Sequence, residues 1–392
     1  MRTRRDVAAE KPTAEPPIAF PEEFPAGPPT RGTAVAEAAA AFARDFVRPR
    51  AAQMAHELTE FPRDVLTEAA RRGLAGLLIP HQYGGTGAGH LAFADLIETV
   101  ARECASTAVI LDVHISVATE PIVMYGTEEQ KHRHLPRLAG GEWLGAFALT
   151  EPNSGSDAAA LRTTAIREGD TYTLRGTKAF ITNAGAADLY VVMARTTGTP
   201  GARGISAFLV EASMPGVHPG RPMHKMGLRG SWTAELVLDD VVVPVQNMLA
   251  AEGEGFRVAM SALDSGRIGI SAQATGIAQG ALAAAVAAPQ AHPFITTLAD
   301  MEAQTQAARA LYRHAAAMCD AGEPFTPQAA AAKLYATDAA TAVAHAAVEL
   351  CAPDSASEDH PAAIRLRDAK ACQIYEGSNQ VQRIVLARHL LA

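Results

Sequence analysis

Cysteine is scarce and scattered: Cys104, Cys319, Cys351 and Cys372 are the four in 392 residues, and their spacing matches no metal-ligand pattern. A structural zinc site and a disulfide framework are therefore not expected, and no metal is. With no secretory segment, the thiols read as reduced ones in a cytoplasm. No unbroken run of eighteen apolar residues occurs, so no bilayer span is expected. Basic charge is also lacking. A formal net charge of -8 and a pI near 5.9 give no reason to expect nucleic acid or an anionic membrane surface as a partner. A small molecule is the expected partner. Internal repeats are absent, and the many alanines read as close-packed helix faces.

The length allows a large core and two or three domains. Residues 1–30 carry Arg2, Arg4 and Arg5 followed by seven prolines, and read as a disordered arm. An organelle-targeting peptide is the competing reading, against which the early Asp6, Glu10 and Glu15 count. Residues 31–144 read as a helical domain, with apolar positions recurring at three and four over Asp64 to Leu78, Phe93 to Ala101 and Val109 to Val123. Pro62 opens one helix, Pro80 and Gly84-Gly85-Thr86-Gly87 interrupt, and Thr127 can cap another.

Near Gly145 the period changes to two. Thr163 to Ile166, Tyr172 to Leu174, Leu189 to Ala194, Ile205 to Val210 and Ala234 to Val243 read as strands, with Glu168-Gly169-Asp170 as a hairpin turn. Residues 145–250 thus form a small antiparallel β domain. After Gly255 the helical period returns, and residues 251–392 read as a helical domain. The fold class is α+β.

Three segments carry chemistry. Phe147-Ala148-Leu149-Thr150-Glu151-Pro152-Asn153-Ser154-Gly155-Ser156-Asp157 is a hydroxyl- and glycine-rich turn leaving the β domain, suited to phosphates and a polar ring edge, although such turns are most often ordinary loops. Lys178-Ala179-Phe180-Ile181-Thr182-Asn183 sets an aromatic plate before a hydroxyl and an amide, which suits a planar heterocycle; an ordinary strand end has the same look. Tyr375-Glu376-Gly377-Ser378-Asn379-Gln380 offers one carboxylate in an apolar setting. That suits a general base, while a Glu-Gly at a helix end is its plainer alternative.

In this order these segments resemble the acyl-CoA dehydrogenase family of flavoproteins from about Thr33 to Leu391. The resemblance includes Pro80-His81-Gln82-Tyr83-Gly84-Gly85, Tyr125-Gly126-Thr127-Glu128-Glu129-Gln130-Lys131, Met226-Gly227-Leu228-Arg229-Gly230-Ser231 and Asp264-Ser265-Gly266-Arg267-Ile268-Gly269. It implies an N-terminal helical domain, a central β domain and a C-terminal four-helix bundle, with FAD between the last two. It further implies Glu376 as the base that takes the α-proton of an acyl thioester while the β-hydrogen leaves as hydride, and Arg267 as an orienting charge. Phe147, Leu149, Thr150, Gly155, Ser156, Phe180, Thr182, Ser378 and Gln380 fall at cofactor positions. Ser156, Tyr375, Gly377, Asp264, Arg267 and Trp232 fall at substrate positions, Trp232 with surface packing as an equal alternative. Some relatives carry the base just before the arginine; Gly266 stands there, so no second carboxylate competes.

Two departures touch the grip on a neighbouring subunit's cofactor. The family's Arg-x-x-Phe-Gly segment is missing around Pro289-Gln290-Ala291-His292-Pro293, and Glu349-Leu350-Cys351-Ala352-Pro353-Asp354-Ser355 replaces a glycine-rich loop. FAD held mainly by one subunit, or a rearranged interface, is the expectation. The resemblance implies a homo-oligomer, dimer or tetramer, and electron-transferring flavoprotein as acceptor. The thioester carrier, coenzyme A or acyl carrier protein, stays open. A flavin monooxygenase or oxidase on the same fold, and a catalytically silent relative, are the alternatives; the first generally lacks the glutamate.

Overall fold

A computed structural model describes residues 32–289 and 291–391; the arm expected over residues 1–30 and Gln290 lie outside them. Helices come first: α1 (Gly32–Phe42), α2 (Ala51–Met54), α3 (Asp64–Arg71), α4 (His90–Glu103), α5 (Ala105–Val113), α6 (Glu120–Tyr125) and α7 (Glu128–Ala139). The helix expected over Asp64 to Leu78 is shorter. α3 ends at Arg71 because Gly73 takes φ +73 and turns the chain, a conformation that costs a glycine little. Leu74, Leu77 and Ile79 then enter the core from a loop. The apolar stretch after Val109 is one rod whose middle, His114–Thr119, is π-helical. Such an inserted turn re-aims the side chains around it. Thr127 and Gln130 close a capping box at the start of α7.

Eight strands follow: β1 (Gly145–Ala148), β2 (Thr164–Glu168), β3 (Thr171–Thr182), β4 (Leu189–Arg195), β5 (Ile205–Glu211), β6 (Val217–Pro219), β7 (Thr233–Pro244) and β8 (Met248–Leu249). They form one sheet in the order β6-β7-β3-β2-β4-β5-β8, with β1 beside β4. Most neighbours are antiparallel, but β1 runs parallel to β4, and β2 meets β4 in parallel at Thr164 and Arg195. β4 is buried on both faces, which is why its sequence is continuously apolar. Tyr190, Val192 and Ala194 join one core with Tyr172 and Phe208; Leu189, Val191 and Met193 join another with Leu209 and Val258.

The C-terminal helices are α8 (Gly255–Ala287), α9 (Ile295–Asp320), α10 (Thr326–Leu350), α11 (Pro361–Cys372) and α12 (Asn379–Leu391). α8 is the central strut. Glycine lets it touch its neighbours: a Cβ on Gly255 would overlap Ser206 of β5, and one on Gly276 would overlap the Glu98 carbonyl of α4. Two helical stretches, Ala105–Tyr125 and Gly255–Ala287, are long and apolar enough to cross a bilayer by composition, yet 89% and 61% of their most apolar windows are buried in protein. Core helices pass that test for the same reason.

Candidate active site

The segment between α11 and α12 turns sharply. Glu376 takes φ +52 and Gly377 φ +85, and a left-handed glutamate is a strained choice that needs support from its surroundings. Support comes from α10. Lys333, fully buried, donates from Nζ to the Gly377 carbonyl (2.8 Å) and to Oδ1 of Asn379 (3.1 Å). Asn379 in turn donates to Thr337 Oγ1 (2.9 Å) and Asp338 Oδ1 (2.8 Å), and Gln382 donates to the Gly377 carbonyl (2.8 Å).

This turn presses the Glu376 carboxyl against α8. A Cβ on Gly266 would overlap Oε2 of Glu376 and crowd Val117, so only glycine leaves the carboxyl its place. The residue as a whole is half-buried, but Oε2 is shielded from solvent and has no hydrogen-bond partner among the described residues. Burial pushes the Glu376 carboxyl up to about 7, against the opposing pull of Lys333 and Arg267. A carboxyl poised near neutrality, with an uncommitted oxygen, is what a general base requires.

Arg267 is buried and paired with Asp264 one turn away, and Asp264 Oδ2 accepts a hydrogen bond from Thr326 Oγ1 (2.6 Å). Burial lowers the Arg267 guanidinium and raises the Asp264 carboxyl from their ordinary values. Tyr375 donates to the Gln273 side chain; burial raises its phenol well above the ordinary range. Gly266, Gly269 and Gln273 share one face of α8, the face toward this cluster.

Across the fold the β domain offers a shelf. The β3 to β7 register shifts between Lys178 and Ile181, and at that bulge Phe180 takes φ +57 and points outward, 63% exposed. An exposed aromatic held in a left-handed conformation is expensive unless something covers the ring. The bulge is tied to the preceding turn, since Ala179 N–H donates to the Thr150 carbonyl (2.8 Å). Beneath it, buried Lys178 bonds Glu151 Oε1 (2.8 Å) and the Leu149 carbonyl (3.2 Å), while Glu151 accepts the N–H groups of Arg162 (2.6 Å) and Thr163 (2.9 Å). The hydroxyls of Thr150, Ser156 and Thr182 make no hydrogen bonds among the described residues. Beside Gly155 the space is open. An uncovered ring, free hydroxyls and an open glycine turn fit a planar heterocycle carrying phosphates.

Leu149 is buried and Phe147 partly so, backing the shelf from within. Ser378 and Gln380 line a separate surface cleft of about 280 Å³ with Lys370 and Arg383. Trp232 is occupied elsewhere: its indole N–H donates to the Leu58 carbonyl (3.2 Å) and its ring packs on Phe61 and Gly185. These are packing contacts. Lys333 and Asp112 escape sequence reasoning. Each is a charge set among apolar or alanine residues of a helix, Asp338 and Glu349 being the other ionised residues of α10, and that setting is the one signal that could have found them.

Comparison with known proteins agrees with this construction. The profile of the acyl-CoA dehydrogenase N-terminal domain matches residues 31–142, that of the middle domain 146–241 and that of the C-terminal domain 253–391. An acyl-CoA dehydrogenase of Bacillus subtilis (strain 168) is 46% identical over 363 residues, covering 89% of this chain and 95% of that protein. The structure of butyryl-CoA dehydrogenase from Megasphaera elsdenii superposes with a TM-score of 0.89 at 39% identity, covering 94% of this chain and 100% of that one. A structure described as the electron transferring flavoprotein of Acidaminococcus fermentans has a TM-score of 0.90 at 41% identity, with 94% and 100% covered.

Proposed function

The chain belongs to the acyl-CoA dehydrogenase family, and on that premise we propose how its own residues act. It is an FAD-dependent oxidoreductase that introduces a double bond between the α and β carbons of an acyl thioester. Glu376 is the base: the shielded, uncommitted Oε2 takes the α-proton, and its value near 7 keeps a useful fraction ionised at neutral pH. A positioned base of this kind is worth about 10²–10⁴-fold. The N–H of Glu376 makes no backbone hydrogen bond among the described residues and would polarise the thioester oxygen, stabilising the enolate. Tyr375 and Gly377 border the acyl group, and Asp264 with Arg267 orients the cluster through charge.

When bound, FAD accepts the β-hydrogen together with its electron pair. Phe180 would lie against the ring, Thr150 and Thr182 would hydrogen-bond its edge, and Gly155 and Ser156 would meet phosphates of cofactor or substrate. Phe147 and Leu149 would back the shelf, with Ser378 and Gln380 at the far end. We take the substrate to be a short-chain acyl-CoA, the electron acceptor an electron-transferring flavoprotein, and the setting a cytoplasmic homo-oligomer whose altered 289–293 and 349–355 segments leave FAD held mainly by one subunit. Stoichiometric FAD on an ordinary tetramer after gel filtration would overturn that last point.

The observation that carries the reading is the Glu376 carboxyl, desolvated and seated on Gly266. The test is anaerobic titration of the FAD-loaded protein with butyryl-CoA. Bleaching of the visible flavin band is expected in the wild type and not in Glu376→Gln; a band unchanged by any short-chain thioester would refute it.

A further inference from the structure

A second carboxyl lies beside the base, and the reaction has no use for it. Asp112, near the end of α5, is completely buried. A Cβ on Gly269 would overlap its Oδ1, just as one on Gly266 would overlap Oε2 of Glu376. Residues 266 and 269 are one helical turn apart, about 5–6 Å between such neighbours, so the two carboxyls sit side by side along one face of α8. Asp112 Oδ1 receives a single long hydrogen bond from Ser116 (3.2 Å), whose hydroxyl is better placed on the Asp112 carbonyl (2.7 Å). Its Oδ2 has no partner among the described residues.

A structural carboxylate in a core is ordinarily paired or fully hydrogen-bonded. Asp112 is neither. The groups whose charge reaches it are Glu376, Tyr375 and Cys372, each neutral or negative, and it has no ion pair with an arginine or lysine among the described residues. Burial and the neighbouring Glu376 raise its carboxyl well above the ordinary range, and a carboxyl in its protonated form both donates and accepts. Phe93, a member of the N-terminal core, lies against the same Gly269 of α8 as Asp112 does. An acyl chain running inward from Glu376 along this face of α8 would meet Asp112 next.

We propose that Asp112 is a specificity-determining residue that receives a hydrogen-bonding substituent, a hydroxyl or an amino group, on the γ or δ carbon of a short acyl chain. The distance from the base sets that position: with the α carbon at Glu376, one helical turn reaches the γ to δ region. An unsubstituted chain would leave Oδ2 buried and unpaired, whereas the substituted chain would satisfy it. Sites built to hydrogen-bond a substrate group discriminate strongly against analogues lacking it.

The inference rests on the thioester dehydrogenase reading, and its test separates the two. Wild-type holoenzyme is assayed with the CoA thioesters of butyrate, valerate, γ-hydroxybutyrate, δ-hydroxyvalerate and γ-aminobutyrate, and the same thioesters are titrated calorimetrically into Glu376→Gln holoenzyme. A kcat/KM at least ~10-fold higher for a hydroxy or amino chain than for the plain chain of equal length, with tighter binding in the same order, is expected. Asp112→Leu should abolish the preference and Asp112→Asn keep part of it. Equal or better handling of plain chains by the wild type overturns the subsite while leaving the dehydrogenase reading intact. No bleaching by any of the five overturns both.

Discussion

The carboxyl of Glu376 rests on the Cα of Gly266, across the gap between the last loop of the chain and the central helix α8. A single methyl group at position 266 would occupy the space of Oε2 and push on Val117. Gly266→Ala is therefore expected to displace the proposed base without removing it. A misplacement of about 1 Å at a reacting group costs on the order of 10²-fold, and kcat should fall by about that much. The flavin spectrum should be unchanged, because Gly266 has no part in the β-domain shelf. An unaltered kcat would show that the carboxyl is not held where the structure has it.

The pH dependence follows from the same carboxyl. As the proposed base, Glu376 must be ionised to take a proton, and its burial places that ionisation near 7. The profile of kcat/KM should rise through about 7 as pH increases. Stability runs the opposite way. A carboxyl whose folded value lies above its unfolded one binds the proton more tightly when folded, so its contribution is complete below the ordinary value of 4.5 and is lost as pH rises through about 7. The loss is about 3 kcal/mol. Glu376→Gln, uncharged at all pH, should gain in Tm relative to wild type at pH 8 and show little difference at pH 5, measured by thermal melts of both proteins.

Much of this architecture is legible in the amino-acid sequence alone. The change from a 3.6 to a 2 period near Gly145, and back after Gly255, marks where the sheet begins and ends because strands and helices bury their apolar residues at those two spacings. The Thr150 turn and Glu376 do not stand out by composition, since hydroxyl- and glycine-rich turns are most often ordinary loops; the ordered run of family segments around them singles them out. Phe180 is legible as an aromatic but not as an exposed one, since its exposure depends on a register shift between β3 and β7. Asp112 and Lys333 stay hidden because a charge within an apolar helix does not announce which neighbouring element its side chain will meet. The π-helical turn after Asp112 and the termination of α3 at Gly73 are lost for a similar reason: both depend on local geometry that periodicity averages away.

Lys333 is a positioning residue rather than a catalytic one. It bonds the carbonyl of Gly377 and the side chain of Asn379, and its charge lowers the Glu376 carboxyl. Lys333→Met removes the cation while Gln382 still holds the Gly377 carbonyl. The acidic limb of kcat/KM should then move to higher pH than in the wild type. A role confined to packing would reduce stability and leave the limb where it was, so the pH profile distinguishes the two.

The shelf rests on a buried ion pair, and removal of one partner exposes how much the cofactor site depends on it. Lys178 and Glu151 are both buried, 2.8 Å apart, and Glu151 also fixes the N–H groups of Arg162 and Thr163. Breaking a buried pair by removing one partner typically costs about 3–5 kcal/mol, because a charge is left unpaired. Lys178→Met should therefore lower Tm and also weaken FAD retention, since the turn from Thr150 to Asp157 loses its anchor. Phe180→Ala is the counterpart. The Phe180 ring is mostly exposed and belongs to none of the hydrophobic core clusters among the described residues, so its loss should lower the FAD-to-protein ratio after gel filtration while the stability of the cofactor-free protein, followed by thermal melts, stays within about 0.5 kcal/mol of wild type. Equal FAD content in both variants and the wild type would remove the shelf from the cofactor site.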